Sequence, residues 1–192
     1  MPTAIRLATL CCMWSVVALA APWAMQTSSA GVTAIGEYRF GMTRDDVRRV
    51  TSCSPYQEVP STRGLECKNF LVDGRQVNIS FLFTDGGLSR VQLSFYEGLT
   101  EQIARLATTS MLSYLTKRGA LRSDELATGV RPTTDSLFKA LHERNKSREG
   151  ARVQVLTPKP TRPPFVHGEL VQALTGYYVL VFLDVTSPAS QQ

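Results

Sequence analysis

The sequence predicts an α+β fold, in which an antiparallel β-sheet of four or five strands carries helices on one face. Three neighbouring stretches between Leu65 and Tyr96 alternate apolar and polar residues with a period of two, which indicates strands with one buried face. The segment that follows repeats its apolar residues at spacings of three and four, which indicates an amphipathic helix. A run of strands followed by helices is typical of the α+β class.

A short helix is predicted to begin at Thr43, ahead of these strands. Its hydroxyl can accept from the backbone N–H of Asp46, whose carboxylate can return the bond and complete a capping box. The helix is expected to end before Thr51, because Pro55 disfavours the helical conformation at Ser54 and the small hydroxyl residues between them favour turns.

Two glycine-containing turns separate the three strands. Asp73 and Gly74 lie between the first and second strand, and residues 85–87 lie between the second and third. Glycine allows the positive φ that tight hairpin turns require, so both connections are predicted hairpins. The strands are expected at residues 65–72, 76–84 and 88–96.

Two further helices are predicted after the third strand. The first should end near Gly119, which follows two basic residues suited to a helix C-terminus. The second is expected over residues 135–145. The face of the first helix expected to pack on the sheet contains Leu99, Ile103, Leu106, Ala107, Met111, Tyr114 and Leu115.

The C-terminal part is predicted to add up to two strands. Residues 152–156 can form one, and residues 177–185 are apolar on both faces until Asp184, which is typical of a central strand. The proline-rich stretch 158–164 indicates an extended surface loop, and His167 is assigned to the same long connection.

Composition favours one exported globular domain. The chain has 192 residues, of which 43% are hydrophobic and 19% are charged, which excludes a collagen-like repeat, a coiled coil and a wholly disordered chain. Arg6 precedes an apolar stretch over residues 7–21, and this pattern predicts a signal peptide over residues 1–30. We expect the exported chain to start between Ala21 and Gly31, with a single domain over 31–188 and a disordered tail over 189–192. Its expected location is the periplasm or the cell exterior.

The cysteines fit this location. Cys11 and Cys12 fall in the predicted leader, which leaves Cys53 and Cys67 to pair as a disulfide in an oxidising compartment. A metal site or redox pair is disfavoured, because the spacing is far from C-x-x-C and no histidine lies nearby. No lipid anchor is expected, because the residue before Cys11 is not small, and no later stretch reaches the length of a membrane span.

Charge and histidine content favour a protein partner over nucleic acid and over catalysis. Without the leader the net charge is +4, and the basic residues are scattered, which is typical of a solvated surface. His142 has no second ligand four residues away, which excludes that type of zinc pair. Both His142 and His167 are expected to be ordinary surface or half-buried side chains. We expect no metal, no cofactor and no enzymatic activity.

Part of the chain resembles a known family. The residues FGMTR at 40–44 with Val47, the cysteines at 53 and 67, and FLFTDGGL at 81–88 resemble one repeat of the secreted β-lactamase inhibitor proteins. The Gly-Met-Thr helix start is more distantly similar to the BamE/SmpA family of outer-membrane assembly lipoproteins. The resemblance covers residues 34–96, about a third of the chain.

The resemblance to the inhibitor family implies a helical cap on an antiparallel sheet, with a disulfide tying the N-terminal helix to the first strand. In that family the loop after the second cysteine enters the target with an acidic residue flanked by tyrosines. The matching loop here implies a binding role for Asp73, Gly74 and Arg75. Arg75 and Gln76 stand where aromatic residues are expected, and the second repeat is missing, so the target is left open.

The function predicted from the sequence is therefore non-catalytic protein binding outside the cytoplasm. The free sheet face or the Asp73-Gly74-Arg75 loop is the expected contact surface. An envelope-associated structural or assembly module of the BamE type is the alternative, and an enzyme with scattered catalytic residues is the less favoured third hypothesis.

Overall fold

A computed structural model describes residues 31–146, 150–158 and 162–186. The predicted signal peptide and its cleavage site, and the predicted tail over 189–192, lie outside the described residues. Two strands near the N-terminus form a small antiparallel sheet, β1 (Thr33–Ile35) and β2 (Tyr38–Arg39).

Seven further strands form one antiparallel sheet in the order β3-β4-β5-β6-β9-β8-β7. Their bounds are β3 (Tyr56–Val59), β4 (Gly64–Val72), β5 (Arg75–Thr84), β6 (Gly87–Gly98), β7 (Ala151–Leu156), β8 (Phe165–Ala173) and β9 (Gly176–Asp184). The α+β class is confirmed, and β9 is central as predicted, but the expected count of four or five strands is wrong.

The sequence prediction lacked β1 and β2 of the small sheet and two strands of the large sheet, β3 and β8. β3 is only four residues long and lies between Pro55 and Pro60, which leaves too few residues for a visible alternation. β8 contains His167, Gly168 and Glu169 among its apolar residues, so the pattern resembled the polar loop before it. Each is a strand because a neighbouring strand pairs with its backbone, which overrides local propensity.

Three helices complete the described fold: α1 (Arg44–Arg49), α2 (Glu101–Thr116) and α3 (Thr134–Asn145). α2 packs on β6, β8 and β9, while α3 packs on β7 and β8. Gly168 on β8 permits the close approach of α2, because a Cβ there would lie 2.7 Å from Leu115 Cδ1 and 2.9 Å from Met111 Sδ. Within the described ranges, none of the helices is both long and apolar enough to cross a membrane.

The predicted apolar face of α2 is corrected by the structure. Met111, Tyr114 and Leu115 are buried as predicted, and the structure adds three buried residues that the prediction lacked: Ala104, Thr108 and Ser110. Thr108 can occupy a core position because its hydroxyl donates to the carbonyl of Ala104 at 2.8 Å. Three of the predicted core residues instead have exposures from 49% to 77%: Leu99, Ile103 and Leu106.

The segment with β1, β2 and α1, residues 33–49, covers the β4–β5 end of the sheet. The predicted capping box of α1 is confirmed, since the Asp46 N–H donates to Thr43 Oγ1 at 3.2 Å and the Thr43 N–H donates to Asp46 Oδ2 at 3.1 Å. Tyr38 packs on Phe81 with ring centroids 4.5 Å apart, and both side chains are fully buried.

The predicted disulfide between Cys53 and Cys67 is confirmed, with a Cα–Cα distance of 6.0 Å. It joins β4 to the segment after α1, so the expectation that it pins the helix itself is corrected. α1 is held instead by Glu58 on β3, which accepts from both Arg44 and Arg48.

Candidate functional site

The face of the seven-stranded sheet opposite the helices is the candidate site, and we call it the open face. α2 and α3 pack on the other side, and α1 is held at the β3 edge, where Glu58 accepts from Arg44 and Arg48. Strand pairing places Arg90, Asp184 and Phe165 in one row across β6, β9 and β8. The next row contains Gln92, Phe182 and His167, and directly opposite residues share a face.

Five charged or titratable side chains form a continuous line across this face, which we call the charge chain: Arg90, Asp184, His167, Glu169 and Arg152. The Arg90 Nε donates to Asp184 Oδ1. Asp184 Oδ2 lies 3.8 Å from His167 Nδ1, and His167 Nε2 lies 3.6 Å from Glu169 Oε1. The last contact is 3.4 Å, between Glu169 Oε1 and Arg152 Nη1.

Burial divides the charge chain into a hidden centre and exposed ends. The side chains of Asp184, His167 and Glu169 are only 3%, 8% and 9% exposed. The terminal Arg90 and Arg152 are 31% and 61% exposed. The carboxylates are therefore largely hidden from solvent, while both guanidinium groups reach it.

Phe182 fixes the geometry of the same region. The His167 ring stacks on it with a centroid separation of 5.0 Å, and the Arg90 guanidinium carbon lies 5.3 Å from its ring centroid. Gln154 Nε2 donates to Glu169 Oε1 at 3.0 Å, which adds a neutral donor to that carboxylate. These contacts restrict the rotamers of the side chains that make them.

The centre of the charge chain has hydrogen-bonding capacity that the described contacts do not use. His167 Nδ1 and Asp184 Oδ2 are buried and have no hydrogen-bond partner among the described atoms. A neutral imidazole has one donor and can serve only one of its two carboxylate neighbours, whereas the imidazolium form can serve both. The sequence prediction that His167 lies in a loop near the surface is therefore wrong, because β8 carries it into the buried centre.

The environment of Glu169 shifts its acid–base equilibrium. Burial acts to raise the pKa of Glu169, but the interactions with His167, Gln154 and Arg152 outweigh burial and hold the pKa below its ordinary value. The folded state thus favours the ionised carboxylate more than the unfolded chain does.

Because of this lowered pKa, we expect Glu169 to make the fold acid-sensitive. Its contribution is fully present above the unfolded pKa of about 4.3 and is lost as the pH falls through the lower folded value. Below about pH 4.3, the free energy of unfolding of Glu169→Gln should therefore fall less steeply with decreasing pH than that of the wild type. Urea unfolding at a series of pH values measures the difference. The control Glu143→Gln changes the same group at an exposed position on α3, and a similar flattening there would contradict the assignment.

The hairpin predicted to bind a partner lies on the other side of the sheet. Asp73 and Gly74 form the turn between β4 and β5, and both have positive φ. Asp73 Oδ1 pairs with Lys117 Nζ at 2.8 Å, and Arg75 donates to Ser110 on α2. The structure therefore joins Asp73 and Arg75 to the α2 region and does not bring them together with the charge chain. Gly74 at the tip has open space beside it.

A second polar cluster links α2, α3 and β9. Glu101 Oε2 accepts from the Tyr177 hydroxyl at 3.1 Å and lies 3.3 Å from His142 Nε2, while Arg105 Nε donates to Glu101 Oε1 at 2.8 Å. Burial acts to raise the pKa of Glu101, but the hydrogen bonds from Arg105 and Tyr177 outweigh burial and bring the pKa below its ordinary value. These contacts join the two helices to the sheet.

Neither the charge chain nor the second cluster was foreseen from the sequence. In the sequence, Asp184 is the polar residue that ends an apolar run, and Glu169 belongs to no recognisable motif. Among the described residues, no three His, Cys, Asp or Glu side chains are grouped so that they could hold a metal ion.

Comparison with known proteins gives no relative: the chain matches no protein-family model, no curated protein and no solved structure.

Proposed function

We propose that this chain is an exported, non-catalytic protein-binding domain whose contact surface is the open face. The observation that supports this proposal is the one-sided placement of the helices on a seven-stranded sheet. Large protein surfaces that combine apolar side chains with oriented arginines resemble the centres of protein–protein interfaces. The open face combines these features, with half-buried Leu82 and Leu180 beside Phe182 and Arg90.

The sheet edges are less suited to binding by strand addition. On β7, Arg122 forms two backbone hydrogen bonds with Leu156, at 3.1 and 2.8 Å. The Gln154 N–H on the same strand donates to Glu125 Oε2 at 3.3 Å. The other edge, β3, has only four residues. Short or covered edges discourage pairing with another chain, which favours the face over the edge.

Preorganisation supports binding by the open face. The charge chain holds Arg90 and Arg152 through buried carboxylates, so less side-chain freedom is lost when a partner binds. The disulfide is consistent with export, because such bonds persist mainly in oxidising compartments. The resemblance to the β-lactamase inhibitor proteins favours a secreted binding protein, and the identity of the target is left open.

The test compares one substitution on each side of the molecule. Tagged wild type, Leu82→Asp on the open face and Leu106→Asp on α2 are used for affinity capture from the exported fraction, and the captured protein is then purified. We expect Leu106→Asp to bind the purified partner like the wild type, and Leu82→Asp to bind at least about tenfold more weakly, because it places a charge in an apolar contact. Thermal melting of each variant establishes that it is folded.

Other outcomes would contradict the proposal. Equal binding by Leu82→Asp and the wild type would show that the open face is not the contact surface. Fractionation with envelope proteins would favour the assembly module, for which binding should depend on membrane-associated partners. Turnover of a substrate by the purified chain would favour the enzyme hypothesis.

A further inference from the structure

We propose that the open face recognises a protein segment rich in carboxylates, which Arg90 and Arg152 bind with their solvent-reaching guanidinium groups. This inference rests on the proposed protein-binding function and adds the chemistry of the partner.

The first argument is that the positive groups of the charge chain are exposed, whereas its negative groups are buried. Asp184 and Glu169 balance the two arginines in number, but the carboxylate side chains are below 10% exposed, whereas the arginines are 31% and 61% exposed. A partner approaching this part of the sheet therefore meets the cationic ends of each ion pair. Complementary potentials then favour an acidic surface over a basic one.

The second argument is the number of guanidinium N–H donors on Arg90 and Arg152 that are available to a partner. A guanidinium group has five N–H donors in a planar fork. Among the described residues, Arg90 donates to a side chain only through Nε, and Arg152 only through Nη1. The remaining donors suit the two oxygens of a carboxylate, which arginine binds in a bidentate manner.

The third argument is that the donors are held in place. Arg90 is fixed by Asp184 directly opposite it on β9 and by the ring of Phe182, on which His167 also stacks. Arg152 is held by Glu169, which Gln154 also contacts. An arginine held by such contacts loses less side-chain entropy on binding than an unrestrained one, which favours recognition by these two side chains.

Two separated guanidinium groups fit discrete carboxylates better than a continuous phosphate backbone. Arg90 lies on β6 and Arg152 on β7, with β9 and β8 between them. Phosphate backbones are usually bound by closely placed basic residues, and the basic residues of this chain are scattered.

The experiment measures binding of fluorescein-labelled poly-L-glutamate to the exported chain by fluorescence anisotropy at low ionic strength. We expect Arg152→Gln to weaken binding by about fivefold, because it removes a guanidinium group that makes much of the contact with the carboxylates. Arg152→Lys should recover only part of the affinity, since lysine keeps the charge but lacks the planar fork. Arg90→Gln should also weaken binding.

The matched control is Arg49→Gln. Arg49 is 74% exposed on α1 and pairs with Asp46, so this variant loses the same charge away from the open face. Its binding should equal that of the wild type. Arg152→Gln keeps the test informative even if Arg90→Gln fails to fold, because Arg152 is the more exposed of the two arginines.

Four results would overturn the inference. These are no binding of poly-L-glutamate, equal weakening by Arg49→Gln and Arg152→Gln, unchanged binding by Arg152→Gln, and tighter arginine-dependent binding of polyphosphate or single-stranded RNA. If binding of the captured partner is weakened by Leu82→Asp but not by Arg152→Gln, only this inference fails. If Leu82→Asp does not weaken that binding, the proposed function fails, whether or not the chain binds poly-L-glutamate.

Discussion

Replacing Asp184 by alanine is expected to lower the free energy of unfolding by about 3–5 kcal/mol. The carboxylate is 3% exposed and accepts from Arg90, so its removal leaves a partly buried guanidinium without its partner. It also removes a neighbour of His167 and leaves a cavity at the end of β9. Urea unfolding at pH 7, followed by circular dichroism, measures the difference.

The matched control is Asp135→Ala on α3. Asp135 also pairs with an arginine, with Oδ1 at 3.0 Å from Arg105 Nη1, but its side chain is 96% exposed. Because exposed pairs are solvated in both states, we expect a loss below about 1 kcal/mol. Similar losses for the two variants would show that the charge chain adds no more than a surface ion pair.

Removing the disulfide is expected to lower stability by about 3 kcal/mol. Cys53 and Cys67 are 14 residues apart in sequence, and closing a loop of this length restricts the unfolded chain. The double variant Cys53→Ser/Cys67→Ser should melt about 10 °C below the wild type under non-reducing conditions, since a domain of this size shifts by a few degrees per kcal/mol.

A reducing agent provides the control for this second prediction. It should lower the melting temperature of the wild type toward that of the double variant and leave the variant unchanged. If the oxidised wild type and the variant melt at the same temperature, the cross-link contributes nothing to stability.

Local features of the fold were predictable because neighbouring residues determine them. The turns at Asp73-Gly74 and around Gly86 were expected from residues that tolerate positive φ, and the structure has positive φ there. The capping box at Thr43 was expected from a spacing of three residues and is present. The helices and the three neighbouring strands followed from periodicity in the same way.

The α2 helix shows where such reasoning ends. Periodicity located the helix but predicted that Leu106 is in the core and did not predict Thr108 there. In the structure Leu106 is exposed and Thr108 is buried. The rotation of a helix about its axis is decided by the surface against which it packs. Here that surface is β8 at Gly168, where a side chain would meet Leu115 and Met111.

By itself the sequence determined the local elements: the α+β class, the hairpins, the capping box of α1 and the expectation of a cysteine pair. Only the tertiary structure decided that β3 and β8 complete a seven-stranded sheet and that Arg90 meets Asp184, 94 residues further along the chain. Contacts of this kind depend on strand register, which is set when distant segments pair and bury one face together. No short stretch of the chain contains that information, so the open face could be named in advance but its charge chain could not.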